Sequence, residues 1–300
     1  MIGVQKIAEA VSAKARSGSK LLLQMPEGLK IHAVEIAHEL EKAGYSVVLS
    51  NDPCYGACDI REHEARMVNA NLIVHVGHKR FYKEIKSSIP VFFIPFELKA
   101  DYDKKQLAKI KEIRVGLVST VNYSYLIEPV AKDLSALGKA PVIAGEILGC
   151  NIEAAKSIDN RVDCFLFVGT GKFHPSGLKT HRPVYFLDLE KNQVEIFDIK
   201  DAEREQRIKY AKIEKFRSSE TVGILLSSKH GQFFHEFEHL KKRIERTGKK
   251  THVLIMDCIT NERLMGLKID FFINTACPRL AEDHFDKPVM NVADFLEFYG

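Results

Sequence analysis

The chain repeats one pattern of apolar strands and amphipathic helices three times, at intervals of about 100 residues. Each copy opens with a short apolar strand, and these strands are predicted at residues 21–24, 115–119 and 222–226. Apolar residues then recur at the 3.6-residue period of a helix with one buried face. Each helix ends near a glycine, Gly44, Gly138 or Gly248, and glycine suits the left-handed conformation that terminates helices.

Three more strands follow in every copy. The second strand reads YSVVLS, PVIAG or THVLIM, the third reads NLIVHVG, CFLFVG or DFFINT, and the fourth starts at a Pro-Val pair. These are continuous apolar runs, which is typical of parallel strands buried on both faces. The pattern predicts an α/β fold of three repeated small domains, each with a mostly parallel sheet flanked by helices.

Polar, charged stretches separate the three copies. They lie at residues 99–112 and 200–220, and the second is predicted to be a helical connector. We therefore expect domains at 1–105, 106–210 and 211–300. Before the second boundary, the segment VYFLDLEKNQVEIFD predicts a small hairpin appended to the second domain.

Composition places the chain among soluble globular proteins. Of its 300 residues, 45% are apolar and 28% are charged, and the net charge of +4 is spread along the chain. A basic face for nucleic acid is therefore not indicated. Apolar runs stay short of the roughly 18 residues that span a bilayer, and the N-terminal segment lacks the apolar core of a signal peptide. We expect a cytoplasmic protein without direct membrane or nucleic-acid binding.

Because we expect a protein that is not exported, the six cysteines are predicted to be buried inert thiols or to serve metal or redox chemistry, rather than to form a disulfide framework. Cys164 opens an apolar strand and is predicted to be a core thiol. The other five follow predicted strands, in the loops where open α/β sheets bind ligands. They are Cys54, Cys58, Cys150, Cys258 and Cys277. This gathering favours a thiolate site over five independent inert thiols.

The spacing of these cysteines narrows the kind of site. A CxxC pair is absent from the sequence, so a zinc ribbon or a thioredoxin-type motif is not indicated. Ligands from distant parts of the chain are most naturally one per repeat. Three thiolates suit a 4Fe–4S cluster with one open iron. Repeat symmetry selects Cys54, Cys150 and Cys258, whereas small or turn-forming neighbours select Cys58, Cys150 and Cys277.

Four loop motifs carry a resemblance to a known family. QMPEGLK, DPCYGACD, GEILGCN and NTACPRL resemble the iron–sulfur enzymes of the first step of diphthamide biosynthesis, the 2-(3-amino-3-carboxypropyl)histidine synthases. The resemblance covers essentially the whole chain. It implies that Cys58, Cys150 and Cys277 hold a 4Fe–4S cluster, with the three domains arranged around it, and that Cys54 and Cys258 are not ligands.

The resemblance also implies a reaction and its partners. A reduced cluster cleaves S-adenosylmethionine to methylthioadenosine and a 3-amino-3-carboxypropyl radical, which adds to C2 of a histidine imidazole in translation elongation factor 2. An electron donor of unknown identity is required. The short single chain with all three cysteines resembles the archaeal homodimer.

Eight further residues lie on loops suited to binding S-adenosylmethionine. They are Gln24, Glu27, Gly28, Gly169, Gly171, His174, Lys229 and Gln232. Each could instead shape its own turn. Arg279, beside Cys277, could neutralise charge at the site or be an ordinary surface arginine. Beyond the cluster ligands, no catalytic residue is assigned.

Three alternatives stay open on the residues alone. A quinolinate-synthase-like dehydratase also has three repeated domains and a cluster on three cysteines, but would release no methylthioadenosine. A non-catalytic electron-transfer subunit is disfavoured because carriers normally use four thiolates. A thiol-bearing binding protein without a cluster would stay colourless after reconstitution.

Overall fold

The computed structural model describes residues 4–82, 84–178, 180–197 and 199–300. The α-helices are α1 Val4–Ser12, α2 Ala33–Lys42, α3 Glu62–Met67, α4 Ile127–Ala136, α5 Glu153–Lys156, α6 Phe173–Ser176, α7 Ile199–Ser218, α8 Phe237–Glu245, α9 Asn261–Met265 and α10 Val292–Tyr299. Short 3-10 helices span Glu27–His32, Lys104–Lys109, Ser124–Leu126, Asp159–Arg161, His230–Gln232 and Pro278–Glu282.

The strands form three sheets. They are β1 Lys20–Gln24, β2 Ser46–Leu49, β3 Leu72–Val76, β4 Val91–Ile94, β5 Arg114–Ser119, β6 Ala140–Glu146, β7 Cys164–Gly169, β8 Val184–Asp188, β9 Gln193–Phe197, β10 Thr221–Ser227, β11 Lys250–Met256, β12 Phe271–Asn274 and β13 Val289–Asn291.

The first four strands of each repeat are arranged in the same order in all three sheets, and the second sheet has a fifth strand. The first runs β2-β1-β3-β4, the second β6-β5-β7-β8-β9 and the third β11-β10-β12-β13. Neighbouring strands are parallel except for β8 and β9, which pair antiparallel as the predicted hairpin. The predicted fold class, α/β with mostly parallel sheets flanked by helices, is confirmed.

The chain forms two compact units, Met1–Phe197 and Asp198–Gly300. The first unit contains the first and second sheets, and the second unit contains the third. The helix expected as a connector is α7, and its residues Ile213 and Phe216 are buried in the core of the second unit. The division into domains at 1–105, 106–210 and 211–300 stays a prediction.

The central strands are buried on both faces, which explains their continuous apolar sequences. Leu21 and Leu23 of β1 pack with α1 and α2, while Leu22 points to the opposite face and packs with Ala65 of α3. This alternation follows from the two-residue period of a strand. Because both neighbouring layers are apolar, a polar residue inside such a strand must find a partner within the protein.

A glycine recurs in the first strand of the second and third sheets. Gly116 of β5 is in register with Phe165, and Gly223 of β10 is in register with Phe272. A Cβ atom would lie 2.9 Å from the Phe165 ring and 2.6 Å from the Phe272 ring, respectively. Each glycine therefore makes room for a phenylalanine of the neighbouring strand, which is a packing solution that the two repeats share.

Within residues 4–82, 84–178, 180–197 and 199–300, the helices are each too short or too polar to cross a membrane.

Candidate functional site

The loop that carries Cys58 follows β2 and is fastened to the end of β1 by Gln24. This side chain is fully buried. Its Oε1 accepts a hydrogen bond from the Arg61 amide at 2.9 Å, and its Nε2 donates to the Asp59 carbonyl at 2.7 Å. The sequence predicted that Gln24 contacts S-adenosylmethionine. In the structure, its side-chain amide instead positions the backbone beside Cys58.

Cys54 and Cys58 lie in the same loop but in different surroundings. Cys54 is buried, and its Sγ lies 3.4 Å from Gln24 Nε2. Burial, and then the charge of Asp59, raises the pKa of the Cys54 thiol to about 11. Cys58 is half-buried. Because metal ligands are thiolates, the environment of Cys54 disfavours ligation.

The loop that carries Cys150 is held by close packing. Gly149 has no room for a side chain, since a Cβ atom would lie 2.6 Å from the Phe173 ring of α6. A Cβ on Gly177 would come within 2.7 Å of the Gly149 carbonyl oxygen, so the backbone is enclosed from a second side. The Gly149 amide donates to His174 Nδ1 at 3.1 Å. Cys150 itself is exposed at the tip.

Cys164 is buried in β7, as the sequence predicts. Burial, followed by the charge of Glu112, raises the pKa of its thiol to about 12. It is therefore a protonated core thiol at neutral pH.

In the second unit, Cys277 precedes the 3-10 helix Pro278–Glu282. The buried Asn274 at the end of β12 donates from Nδ2 to the Cys277 carbonyl at 2.8 Å and to Asn291 Oδ1 at 2.7 Å. Cys277 and Cys258 are both half-buried. The difference in burial therefore favours Cys58 over Cys54 as a metal ligand. It does not favour either Cys258 or Cys277, because these two thiols are buried to a similar degree.

The predicted binding residues of the first unit fall into exposed and packed groups. Glu27 and Gly28 are exposed at the start of a 3-10 helix, where Lys30 Nζ lies 2.6 Å from Glu27 Oε1. Gly169 ends β7, and a Cβ there would lie 2.9 Å from the Phe167 ring. Gly171 has φ +69°, a conformation that favours glycine. Both glycines thus have structural reasons to be glycine, and ligand contact by any of the four stays a proposal.

Lys229 and Gln232 lie after β10 in the second unit. The Lys229 side chain is buried, and its Nζ lies 3.3 Å from Asp257 Oδ1, next to Cys258 in the chain. Gln232 is half-buried, and its backbone N–H donates to the Lys229 carbonyl at 3.0 Å. The Lys229 ammonium is thus paired with a carboxylate of the protein itself, and ligand contact by Lys229 or Gln232 stays a proposal.

Two histidines that the sequence analysis did not select belong to the same region as Gln24. His75 is fully buried in β3, and its Nδ1 lies 3.0 Å from Gln24 Nε2. Its Nε2 lies 2.8 Å from His78 Nδ1. Burial lowers the pKa of His75 well below its usual range, and burial together with His174 lowers the pKa of His78 to about 4. In the sequence, His75 could have been recognised as a buried polar residue, because it lies inside the apolar run NLIVHVG.

Across the described ranges of the chain, His, Cys, Asp and Glu side chains do not form any group of three or more arranged to hold a metal ion. The structure places Cys58 and Cys150 in the first unit and Cys277 in the second. The proposed set of three ligands therefore rests on the sequence motifs and on the chemistry of each loop.

Parallel sheets with thiols in the loops after their strands define an α/β protein suited to binding a metal cluster or a small ligand at strand ends. A model of the diphthamide synthesis protein family matches residues 25–298, and the chain belongs to this family. The resemblance predicted from the loop motifs is confirmed.

Known relatives are similar along most of the chain. A 2-(3-amino-3-carboxypropyl)histidine synthase from Pyrococcus horikoshii is 28% identical over 94% of this chain and 86% of its own length. Subunit 1 of the human synthase is 28% identical over 90% of this chain and 66% of its own length.

Solved structures of Dph2 from Pyrococcus horikoshii have the same fold. One superposes with a TM-score of 0.87 at 25% identity and covers 99% of this chain and 90% of its own. A second, which contains a 4Fe–4S cluster, gives a TM-score of 0.86 at 26% identity and covers 98% and 89% of the two chains.

Proposed function

We propose that this protein is a 2-(3-amino-3-carboxypropyl)histidine synthase, an enzyme of the first step of diphthamide biosynthesis. It transfers the 3-amino-3-carboxypropyl group of S-adenosylmethionine to C2 of a histidine imidazole in translation elongation factor 2 and releases methylthioadenosine. The observation that carries the proposal is the relative of this name, which matches 94% of the chain.

The cofactor is a 4Fe–4S cluster, with Cys58, Cys150 and Cys277 as its ligands. The chemistry of the thiols supports this set over alternatives that include Cys54 or Cys164. Burial raises the pKa of Cys54 to about 11 and of Cys164 to about 12, whereas Cys58 and Cys277 are half-buried and Cys150 is exposed. When bound and reduced, the cluster supplies the electron that breaks the bond between the sulfonium and the methionine γ-carbon.

The protein's own contribution is to hold each cysteine by the backbone beside it. Gln24 binds the Asp59 carbonyl next to Cys58, His174 binds the Gly149 amide next to Cys150, and Asn274 binds the Cys277 carbonyl. Such outer contacts orient ligands and are costly to remove. The cysteine side chains are thereby presented from fixed loops rather than from mobile ones.

The remaining partners complete the proposal. S-adenosylmethionine is bound by loops that include Gln24, Glu27, Gly28, Gly169, Gly171, His174, Lys229 and Gln232. The second substrate is elongation factor 2, and a separate electron donor reduces the cluster. The enzyme is a cytoplasmic homodimer. Analytical ultracentrifugation at micromolar concentration tests the last point, which a monomer would contradict.

Product analysis tests the reaction. The anaerobically reconstituted protein, incubated with S-adenosylmethionine, dithionite and elongation factor 2, should release methylthioadenosine and leave a histidine heavier by one aminocarboxypropyl group. Chromatography and peptide mass spectrometry read both products. Mainly 5′-deoxyadenosine would overturn the proposed bond cleavage, and no nucleoside product at all would favour the quinolinate-synthase-like alternative.

A further inference from the structure

A chain of hydrogen bonds runs from the Cys58 loop to His78, a residue to which the proposed function gives no role. It starts at the Arg61 amide and passes through Gln24 and His75. Gln24 and His75 are fully buried, and His78, in the loop after β3, is half-buried.

The backbone fixes the orientation of the Gln24 amide. The Arg61 N–H can only donate, so the atom 2.9 Å away is the amide oxygen. The Asp59 carbonyl can only accept, so the atom 2.7 Å away is the amide nitrogen. Since an amide nitrogen carries two N–H groups and no acceptor, it also donates to His75 Nδ1 at 3.0 Å.

The two histidine tautomers follow from that donation. His75 Nδ1 accepts, so the neutral ring carries its proton on Nε2 and donates to His78 Nδ1 at 2.8 Å. His78 Nδ1 accepts in turn, so the neutral ring of His78 carries its proton on Nε2. A proton added to His75 Nδ1 would face the Gln24 N–H, which agrees with the lowered pKa of His75. His78 is therefore a neutral residue whose outer nitrogen is a hydrogen-bond donor.

A second imidazole with the same property lies nearby, in the same unit. His174 Nδ1 accepts from the Gly149 amide at 3.1 Å, so its neutral ring also carries the proton on Nε2. The loop after β3 that carries His78 contacts the Cys150 loop, because the Tyr82 hydroxyl donates to the Cys150 carbonyl at 3.3 Å. The charge of His174 adds to the burial that lowers the pKa of His78. One ring is fastened to the Cys58 loop and the other to the Cys150 loop.

We propose that His78, together with His174, binds the carboxylate of the methionine part of S-adenosylmethionine through Nε2–H donors. This inference rests on the proposed function. A carboxylate offers two acceptor oxygens to the two donors, and hydrogen bonds to a charged group are stronger than neutral ones. The ammonium and sulfonium groups of the same ligand have no acceptor to offer and are excluded from this position. His78 thereby helps to choose which end of the ligand lies near the two cysteine loops.

Binding of two matched ligands tests the inference in the anaerobically reconstituted protein. S-adenosylmethionine and its decarboxylated analogue differ only by the carboxylate. His78→Phe should weaken binding of S-adenosylmethionine by about 10- to 100-fold, the usual range for a lost hydrogen bond to a charged group. Binding of the decarboxylated analogue should change less than about twofold. His78→Gln, which keeps an N–H near the position of Nε2, should recover part of the loss.

The control variant is His38→Ala, on the exposed face of α2, which should leave both affinities unchanged. Equal weakening of both ligands by His78→Phe would overturn carboxylate recognition and indicate a ribose or adenine contact. No weakening of either would remove His78 from the site.

The tautomers are checked without cluster or substrate. Long-range ¹H–¹⁵N spectra of the cluster-free, histidine-labelled protein should show neutral, Nε2-protonated rings for His75 and His78 at pH 6. A charged ring or an Nδ1–H tautomer at either residue would overturn the inference. If the wild-type protein makes methylthioadenosine but does not distinguish the ligands, this inference alone fails. If it binds neither ligand and makes no methylthioadenosine, the proposed function fails.

Discussion

The loop that carries Cys58 is fastened by buried hydrogen bonds, whereas the loop that carries Cys150 combines one hydrogen bond, from Gly149 to His174, with close packing around the glycine. Gln24 supplies the polar anchor of the first loop, and Phe173 and Gly177 enclose Gly149 in the second. A polar anchor fails when a donor or acceptor is removed, and a packed anchor fails when atoms are added. The two loops should therefore be sensitive to opposite kinds of substitution, although both are proposed to provide one cluster ligand.

The largest effect is expected from replacing the cysteines themselves, because each loop is proposed to provide one ligand to the same cluster. Replacing Cys58, Cys150 or Cys277 by Ala should each abolish stable cluster binding, because two thiolates do not secure a cluster that depends on three. Iron and sulfide content and the electron paramagnetic resonance spectrum of the anaerobically reconstituted protein measure this.

Cys258→Ala is the matched control, because Cys258 and Cys277 are equally half-buried. It should bind a full complement of iron. If Cys258→Ala loses the cluster while Cys277→Ala keeps it, the ligands are Cys54, Cys150 and Cys258, as repeat symmetry would have it.

Removing the polar anchor should have the next largest effect. Gln24→Leu leaves the buried Arg61 amide and Asp59 carbonyl without these partners, and each such loss costs about 1–3 kcal/mol. We expect the free energy of unfolding of the cluster-free protein to fall by about 3 kcal/mol in urea titration, and iron retention to fall with it. Gln193→Leu is the control, since its Nε2 bonds a partly exposed Glu195. A loss that is no larger for Gln24→Leu than for Gln193→Leu would contradict the anchor.

The sequence predicts a feature of these loops well when the contacting residues are close together along the chain, and poorly when they are far apart. The sheets follow from local apolar runs, and Cys164 follows from its place in one of them. The Gln24 anchor joins the end of β1 to the Asp59 carbonyl and the Arg61 amide, 35 and 37 residues away along the chain, in a loop whose path no local pattern specifies. The sequence shows a glycine at position 149 but not why a larger residue does not fit there. The obstacle is the ring of Phe173, 24 residues later in the chain.

The same limit explains the cysteines. Cys54 and Cys58 both lie in DPCYGACD, and only the folded loop buries the first and leaves the second half-buried. Repeat symmetry selects Cys54, and the family resemblance selects Cys58. The structure adds a physical reason for the second choice, because burial keeps the Cys54 thiol protonated.

Adding one carbon to the packed anchor should have a moderate effect. In Gly149→Ala the new Cβ would lie 2.6 Å from the Phe173 ring, and overpacking of this kind typically costs about 1–3 kcal/mol. We expect a lower melting temperature and weaker iron retention. Gly266→Ala is the control, since a Cβ there meets no atom of the described residues within 4 Å. Phe173→Leu should partly restore Gly149→Ala, and failure of this rescue would mean that the ring is not the obstacle.

The smallest expected effect is a dependence of stability on pH. It comes from His75 and His78, which are hydrogen-bonded to the Gln24 anchor of the Cys58 loop. The pKa of folded His78 is about 4, below its ordinary value of 6.5, chiefly because of burial. Between these values the unfolded chain binds a proton that the folded protein does not, so the stabilising contribution present above pH 6.5 is lost as the pH falls. His75 acts in the same direction. In urea titrations of the cluster-free protein at pH 7, 6 and 5, stability should fall toward acid, and His78→Phe should reduce the fall by about 1 kcal/mol, on the order of one pKa unit. Burial is the larger cause of the low pKa of His78 and His174 is the smaller one. Gly149→Ala, which alters the residue that contacts His174, should therefore change the acid dependence less than His78→Phe does. An equal slope in wild type and His78→Phe would show that His78 takes up its proton in the folded protein as readily as in the unfolded chain.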